Sequence, residues 1–147
     1  MSVDIREDIL ARLLEVVAGI PNIRSAQRNN VDVTDEMLPA VTVFDGDEET
    51  TGADDRSARL STRPYVTRMQ PEIIVQEKHE VTGSEMGAMR RELIRRVLTD
   101  TALNALAGSN GAIRYMGCQT DFGWLRSQYN AMNVQFMIQY ALKIEEL

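Results

Sequence analysis

Met132-Asn133-Val134-Gln135-Phe136-Met137-Ile138-Gln139-Tyr140-Ala141-Leu142-Lys143-Ile144 decides the fold. Its even positions carry Met, Val, Phe, Ile, Tyr, Leu and Ile, while Asn133, Gln135, Gln139 and Lys143 share the odd ones. That period of two belongs to a strand with one buried face. At roughly 13 residues it exceeds the usual strand of 3–10, so part of it is expected to pair beyond the subunit's own sheet or to turn a corner. Just upstream, Ala112-Ile113-Arg114-Tyr115-Met116-Gly117-Cys118 reads as its hairpin partner, joined through Asp121-Phe122-Gly123-Trp124.

Two more extended stretches precede the hairpin. Leu38-Pro39-Ala40-Val41-Thr42-Val43-Phe44 is β-branched and aromatic, with proline at its entrance, where a strand tolerates it. From Arg63 to Lys78, the residues Tyr65, Thr67, Met69, Ile73 and Val75 share one parity, and Pro71 predicts a bend or an edge position. Asn22 to Arg28 adds a short candidate strand.

Helices flank these strands. Asp4 with Glu7 has capping spacing ahead of Ile5, Ile9, Leu13, Val16 and Val17, and Gly19 and Pro21 stop the run. Thr82-Gly83-Ser84-Glu85 is a second capping box, followed by the stripe Met86, Met89, Leu93, Ile94 and Val97. On that helix Arg91 and Arg95 point away from the stripe, Arg90 falls close to it, and Glu92 with Arg96 forms an i,i+4 pair. Asp100 caps a short continuation, Thr101 to Ala107, that ends at Gly108.

The chain of 147 residues, 44% hydrophobic, fits one domain, 1–147. A net charge of −6 argues against binding to nucleic acid or anionic membrane. No apolar run approaches the roughly 20 residues of a membrane span, and the charged beginning Met1-Ser2-Val3-Asp4-Ile5-Arg6-Glu7-Asp8 does not read as a signal peptide. One cysteine, Cys118, and one histidine, His79, build neither a disulfide nor a cysteine-based zinc site, which suits a reducing compartment. Only Lys78 and Lys143 among the 16 basic residues are lysine; the arginine excess suits multi-donor contacts at interfaces.

Catalytic patterns are weak. His79 stands in the charged context Glu77-Lys78-His79-Glu80 with no nucleophile motif nearby and reads as a solvated histidine. Cys118 reads as a half-buried structural thiol. Asp45-Gly46-Asp47-Glu48-Glu49-Thr50 has Thr50 where a calcium loop needs glycine, and Gly108-Ser109-Asn110-Gly111 lacks the context of a phosphate loop. The expectation is therefore no enzyme, no cofactor and no metal.

Charge clusters carry the interaction signal. Asp45, Asp47, Glu48, Glu49, Asp54 and Asp55 occur without one Lys or Arg among them, and the segment 45–60 is expected to be a solvated, flexible loop that orders on assembly. Arg91 and Arg95 supply the opposite sign, as a head-to-tail interface between subunits would use. The candidate interface is thus Asp45, Asp47, Glu48, Glu49, Asp54, Asp55, Arg91 and Arg95.

Taken in order, the N-terminal helix, the Leu38–Phe44 strand, the acidic loop, the long strand, the helix and the Trp124 connection into a strand ending Ile138-Gln139-Tyr140 resemble a known family. The chain is similar to the tail terminator proteins of long-tailed bacteriophages, of the lambda minor-tail-protein-U type. The resemblance implies a virion protein of the head–tail junction, assembled in the host cytoplasm. It would form a hexameric ring on the finished tail tube, stop polymerisation and present a surface to the head connector. The tube protein and the connector or neck protein would then be its partners, and no reaction is implied. The Glu85–Ala107 stretch and the extension Ala141 to Leu147 depart from the lambda pattern, so a neighbouring neck or tail-completion protein is the alternative. From the residues themselves, two other classes stand beside it: a small-molecule or metal-binding enzyme whose site no motif encodes, and a standalone acidic adaptor that contacts another protein without closing a ring.

The fold expected is α+β: an antiparallel, mostly four-stranded sheet with two main helices on one face. Ile9, Leu13, Val41, Val43, Ile74, Leu93, Val97, Phe136 and Ile138 are its expected core.

Overall fold

A computed structural model describes residues 4–30, 32–51, 65–108, 112–121 and 129–142. Within them run helix α1 (Ile5–Ala18), strand β1 (Ser25–Arg28), a 3₁₀ turn (Asp35–Met37), β2 (Ala40–Thr51), β3 (Tyr65–Glu77), α2 (Gly83–Thr99), α3 (Thr101–Ala107), β4 (Ile113–Asp121) and β5 (Asn130–Leu142). The strands form one sheet in the order β1-β2-β3-β5-β4.

The fold is α+β, but the sheet has five strands and is mixed. β1 lies parallel to β2, Ser25 beside Ala40 and Arg28 beside Val43, and the other neighbours are antiparallel. A four-residue strand whose residues are all half-buried carries no periodic signal, which is why its parallel pairing could not be foreseen. Three helices rather than two lie on the sheet, their boundaries set by local chemistry. The Asp4 carboxylate accepts from the Glu7 N–H at 3.2 Å, and Thr82 and Glu85 close a reciprocal capping box. Asp100 accepts from the Leu103 N–H at 2.8 Å to start α3, and Gly108 ends it with φ of +89°. Asp100 also receives two hydrogen bonds from Arg12, at 2.7 and 2.9 Å, fastening the α2–α3 corner to α1.

The acidic stretch corrects another expectation. Asp45 to Thr51 is not a loop: it prolongs β2, which pairs with β3 from Asp47 opposite Gln70 to Thr51 opposite Val66. Backbone pairing offered by β3 overrides the polar composition, because a strand needs only one face out of water. The rest of the expected loop, including Asp54 and Asp55, lies outside the described residues.

Pro71 also behaves differently from an edge proline. It sits in β3, the central strand, opposite the register shift of β2 between Phe44 and Asp47 and between the residues Met69 and Glu72 that pair with β5. β2 carries a bulge between Phe44 and Asp47, with Gly46 at φ of +69°, and β4 carries one between Tyr115 and Gly117. Gly46 is required there, since a Cβ on it would fall 1.9 Å from the Gln70 carbonyl oxygen.

One contiguous core lies between the helices and the sheet, drawing Ile9, Leu13 and Val17 from α1 and Leu93 and Val97 from α2. Val41, Val43, Met69, Ile73, Val75 and the even residues Met132 to Tyr140 face it from the sheet. Ile74 does not belong to it: odd residues of β3, Thr67, Met69, Ile73 and Val75 among them, are fully buried, and Ile74 is half-buried on the opposite face. The strict alternation of β5 from Asn130 to Tyr140 matches expectation, but the strand is spent inside its own sheet, between β3 and β4.

Candidate interaction surface

Eight residues form the expected interface; Asp54 and Asp55 lie outside the described residues, and the other six fall in different surroundings. Asp45 is engaged within the subunit: Arg28 donates to it at 2.8 and 3.0 Å and to Glu7 of α1 at 2.9 Å twice. The Arg28 guanidinium holds both carboxyls below their ordinary range. Glu48 accepts from the Tyr140 hydroxyl and lies 3.9 Å from Arg6. Burial first, and then Glu48, raises the Tyr140 phenol above its usual value. Asp47 and Glu49 are exposed on the other face of the sheet, beside Gln70 and Arg68. Arg95 pairs with Glu92 at 2.6 Å, and Glu92 pairs with Arg96 at the same distance, which holds its carboxyl down at about 2. Arg91 is exposed on the crest of α2. Of the six described residues, Asp45, Glu48 and Arg95 bind the subunit to itself, while Asp47, Glu49 and Arg91 stand exposed.

Arg90 takes the position its helical spacing predicts. It donates to the Tyr115 hydroxyl at 3.2 Å and lies 5.3 Å from the centre of the ring, which meets Phe136 edge-on at 6.0 Å. Cys118 packs half-buried against the core from β4, while His79 sits exposed in the turn after β3, in a shallow depression with Asp35, Lys78, Glu80 and Tyr129. The two do not meet in one site. Among the described residues no group of three or more His, Cys, Asp or Glu is placed to hold a metal ion, and no helix is long and apolar enough to cross a membrane.

The surface left over is the second face of the sheet. All the helical core residues pack on one face, and among the described residues no helix covers the other. That face presents Phe44, Ile74 and Met137, all half-buried, with Val66 39% exposed near one end. Where the two bulges line up across Pro71 it forms a depression of about 420 Å³, bordered by Gly46, Asp47, Gln70, Glu72, Gln135 and Met116. Glu72 accepts from Gln135 at 3.2 Å on its floor, and Met116, at 56% exposure, stands on its rim.

A second groove opens on the helix side. Its volume is about 510 Å³, and Ile20, Pro39, Val81 and Met89 line it together with Glu77 and Glu85. Glu77 is only 8% exposed, and burial raises its carboxyl pKa, with the nearby Glu85 charge adding in the same direction against the Lys78 backbone N–H. Asn130, 2% exposed, donates to the carbonyls of Lys78, His79 and Val81 at 3.4, 3.4 and 3.1 Å, which fixes the turn forming one wall. Sequence reasoning passed over Glu77, although its odd number in β3 places it on the face of Ile73 and Val75.

No protein-family model matches this chain, and no curated protein matches it.

Proposed function

We propose that the chain is a structural subunit that assembles with copies of itself into a closed ring, and that it serves as a tail terminator of a long-tailed phage. The supporting observation is a sheet that, among the described residues, is covered by helices on one face only, with Phe44, Ile74, Met137 and the exposed Met116 on the other. A face of this kind costs solvation until a partner covers it. The terminator role itself comes from the order of elements that resembles that family. In this reading the ring is hexameric and caps the tail tube, and the head connector docks on its free side. The neck or tail-completion protein is the neighbouring assignment under the same architecture.

The charge-pair interface takes a narrower form. Arg91 remains a candidate contact because it is exposed and no acidic side chain is placed against it among the described residues. Arg95 is already paired, and Asp45 is committed to Arg28. The test is Met116→Glu, assayed by circular dichroism and native mass spectrometry. A folded variant that fails to assemble supports the face as the interface; assembly equal to wild type sinks that assignment.

A further inference from the structure

We propose that subunits join through their sheet edges: the free edge of β4 in one copy pairs with the free edge of β1 in the next, so that the sheet runs on from subunit to subunit. The inference rests on the ring reading and names the surfaces that meet in it.

The backbone is open at both ends of the sheet, which are β4 and β1. The Gln139 N–H donates to the Ala112 carbonyl, which sets the alternation of β4 against β5 and turns the N–H and C=O of Ile113, Tyr115, Cys118 and Thr120 outward. At the other end the Asn29 N–H donates to the Val43 carbonyl, so the backbone groups of Ala26 and Arg28 point away from β2. No hydrogen bond among the described residues uses these outward groups. Such a row of unmet donors and acceptors is the template on which a further strand adds.

Charge selects a second copy as that strand's source. The chain after β1 turns back along it, tied down by the Ser25 hydroxyl on the Met37 carbonyl at 2.9 Å and the Gln27 amide on the Asp32 carbonyl at 3.3 Å. Asp32, Asp35 and Glu36 stand exposed on this return, with Arg24 before β1 the one exposed cation beside them among the described residues. Gln27 lies beside Thr42, and Thr42 beside Ile74, so the acids border the face of Ile74. At the opposite end Arg114, beside Met137, is exposed on that same face. Arg90 at the Tyr115 ring adds positive charge on the helix side of β4, against Asp121 at the strand's end. Among the described residues no ion pair engages Arg114, Asp32 or Glu36.

Pairing β4 with β4, or β1 with β1, sets like charges together, whereas β4 with β1 joins opposite ones. A contact between two different surfaces is also the kind that closes into a ring. Strand direction agrees with it. β1 runs with β2, against β3, with β5 and against β4, so a neighbour in the same orientation brings its β1 antiparallel to β4. Antiparallel pairing is the more stable kind per residue. Met116, exposed on β4, carries the rim of the open face into this contact.

The experiment follows assembly of the full chain by native mass spectrometry, with circular dichroism to check folding. Thr120→Pro removes an outward N–H and spares the bonds to β5. It should stay folded and weaken ring formation by about tenfold or more, while Thr120→Ala assembles as wild type does. Arg114→Glu, and separately Asp32→Arg with Glu36→Arg, should each weaken assembly about tenfold, and all three substitutions in one chain should return it to within about threefold of wild type. If Thr120→Pro unfolds, the charge series decides alone. Rings that form equally well in every variant would overturn the edge contact and leave the ring reading standing. Failure of both charge variants with no recovery in the combined chain would put the arginine and the acids in separate contacts and overturn the pairing of β4 with β1. A wild-type two-fold dimer lost in Thr120→Pro would assign β4 to another β4, again overturning it. A wild-type chain that is monomeric at every concentration would overturn the ring reading and this inference with it.

Discussion

Arg28 shows how far a single side chain can redirect the meaning of a charge cluster. Its guanidinium bridges Glu7 on α1 and Asp45 at the bulge of β2, so an acidic residue that looks free in the sequence is part of the fold. Replacing Arg28 with Gln should cost about 1–3 kcal/mol at neutral pH, the range for charge-assisted hydrogen bonds, with the more exposed Glu7 contributing the smaller share. Both carboxyls have folded pKa values below their unfolded ones. The stabilisation is therefore full above about pH 5 and fades as pH falls through the lowered values. Denaturation of wild type and Arg28→Gln across pH 2–7 should give curves that converge at the acidic end; a constant gap would contradict the pairing. Thr67 makes the opposite case. It is fully buried in β3 and its hydroxyl oxygen has no hydrogen-bond partner among the described residues, so Thr67→Val should leave stability equal or raise it by up to about 1 kcal/mol. A loss above that size, measured by urea denaturation, would mean that the hydroxyl is satisfied.

At the scale of elements, what the sequence revealed depended on how locally each element is determined. α1, α2 and α3 were legible with their caps, since Asp4, Thr82, Asp100 and Gly108 act within one turn of the helix they bound. β5 was legible because eleven successive residues from Asn130 alternate in burial. The far half of β2 was not, since Asp45 to Thr51 is held extended by β3, and only the pairing partner reveals it. Ile74 reads as core because it stands in an apolar triplet, where composition hides the alternation that puts Ile73 and Val75 inside. The intrasubunit pairing of Asp45 and Glu48 was hidden for a related reason: Arg28 and Tyr140 lie far along the chain from the acids they bind. The aligned bulges give a sharp prediction. Gly46→Ala should destabilise by at least about 2 kcal/mol, because the added methyl meets the Gln70 carbonyl and the backbone is left-handed there. Gly117→Ala should cost less, since its φ of +148° is strained but nothing lies within 4 Å of the new Cβ. Thermal melts that rank the two in the reverse order would contradict the packing at Pro71.

Among the described residues the molecule is asymmetric about its sheet: three helices and the apolar core occupy one side, and half-buried apolar residues and a depression the other. That asymmetry is what the ring reading uses, and it predicts that polar substitutions on the open face affect assembly more than stability. Arg91→Glu, on the exposed crest of α2, should leave the melting curve unchanged and weaken self-association by roughly tenfold, as loss of a charged interface contact does. Sedimentation velocity reads this directly, and wild-type association would remove Arg91 from the interface. The most direct test of the central claim is native mass spectrometry of the purified chain across a concentration series. The account predicts a closed ring of six subunits that grows at the expense of monomer as concentration rises; a monomer at every concentration, or a two-fold dimer that persists to the lowest, would contradict it.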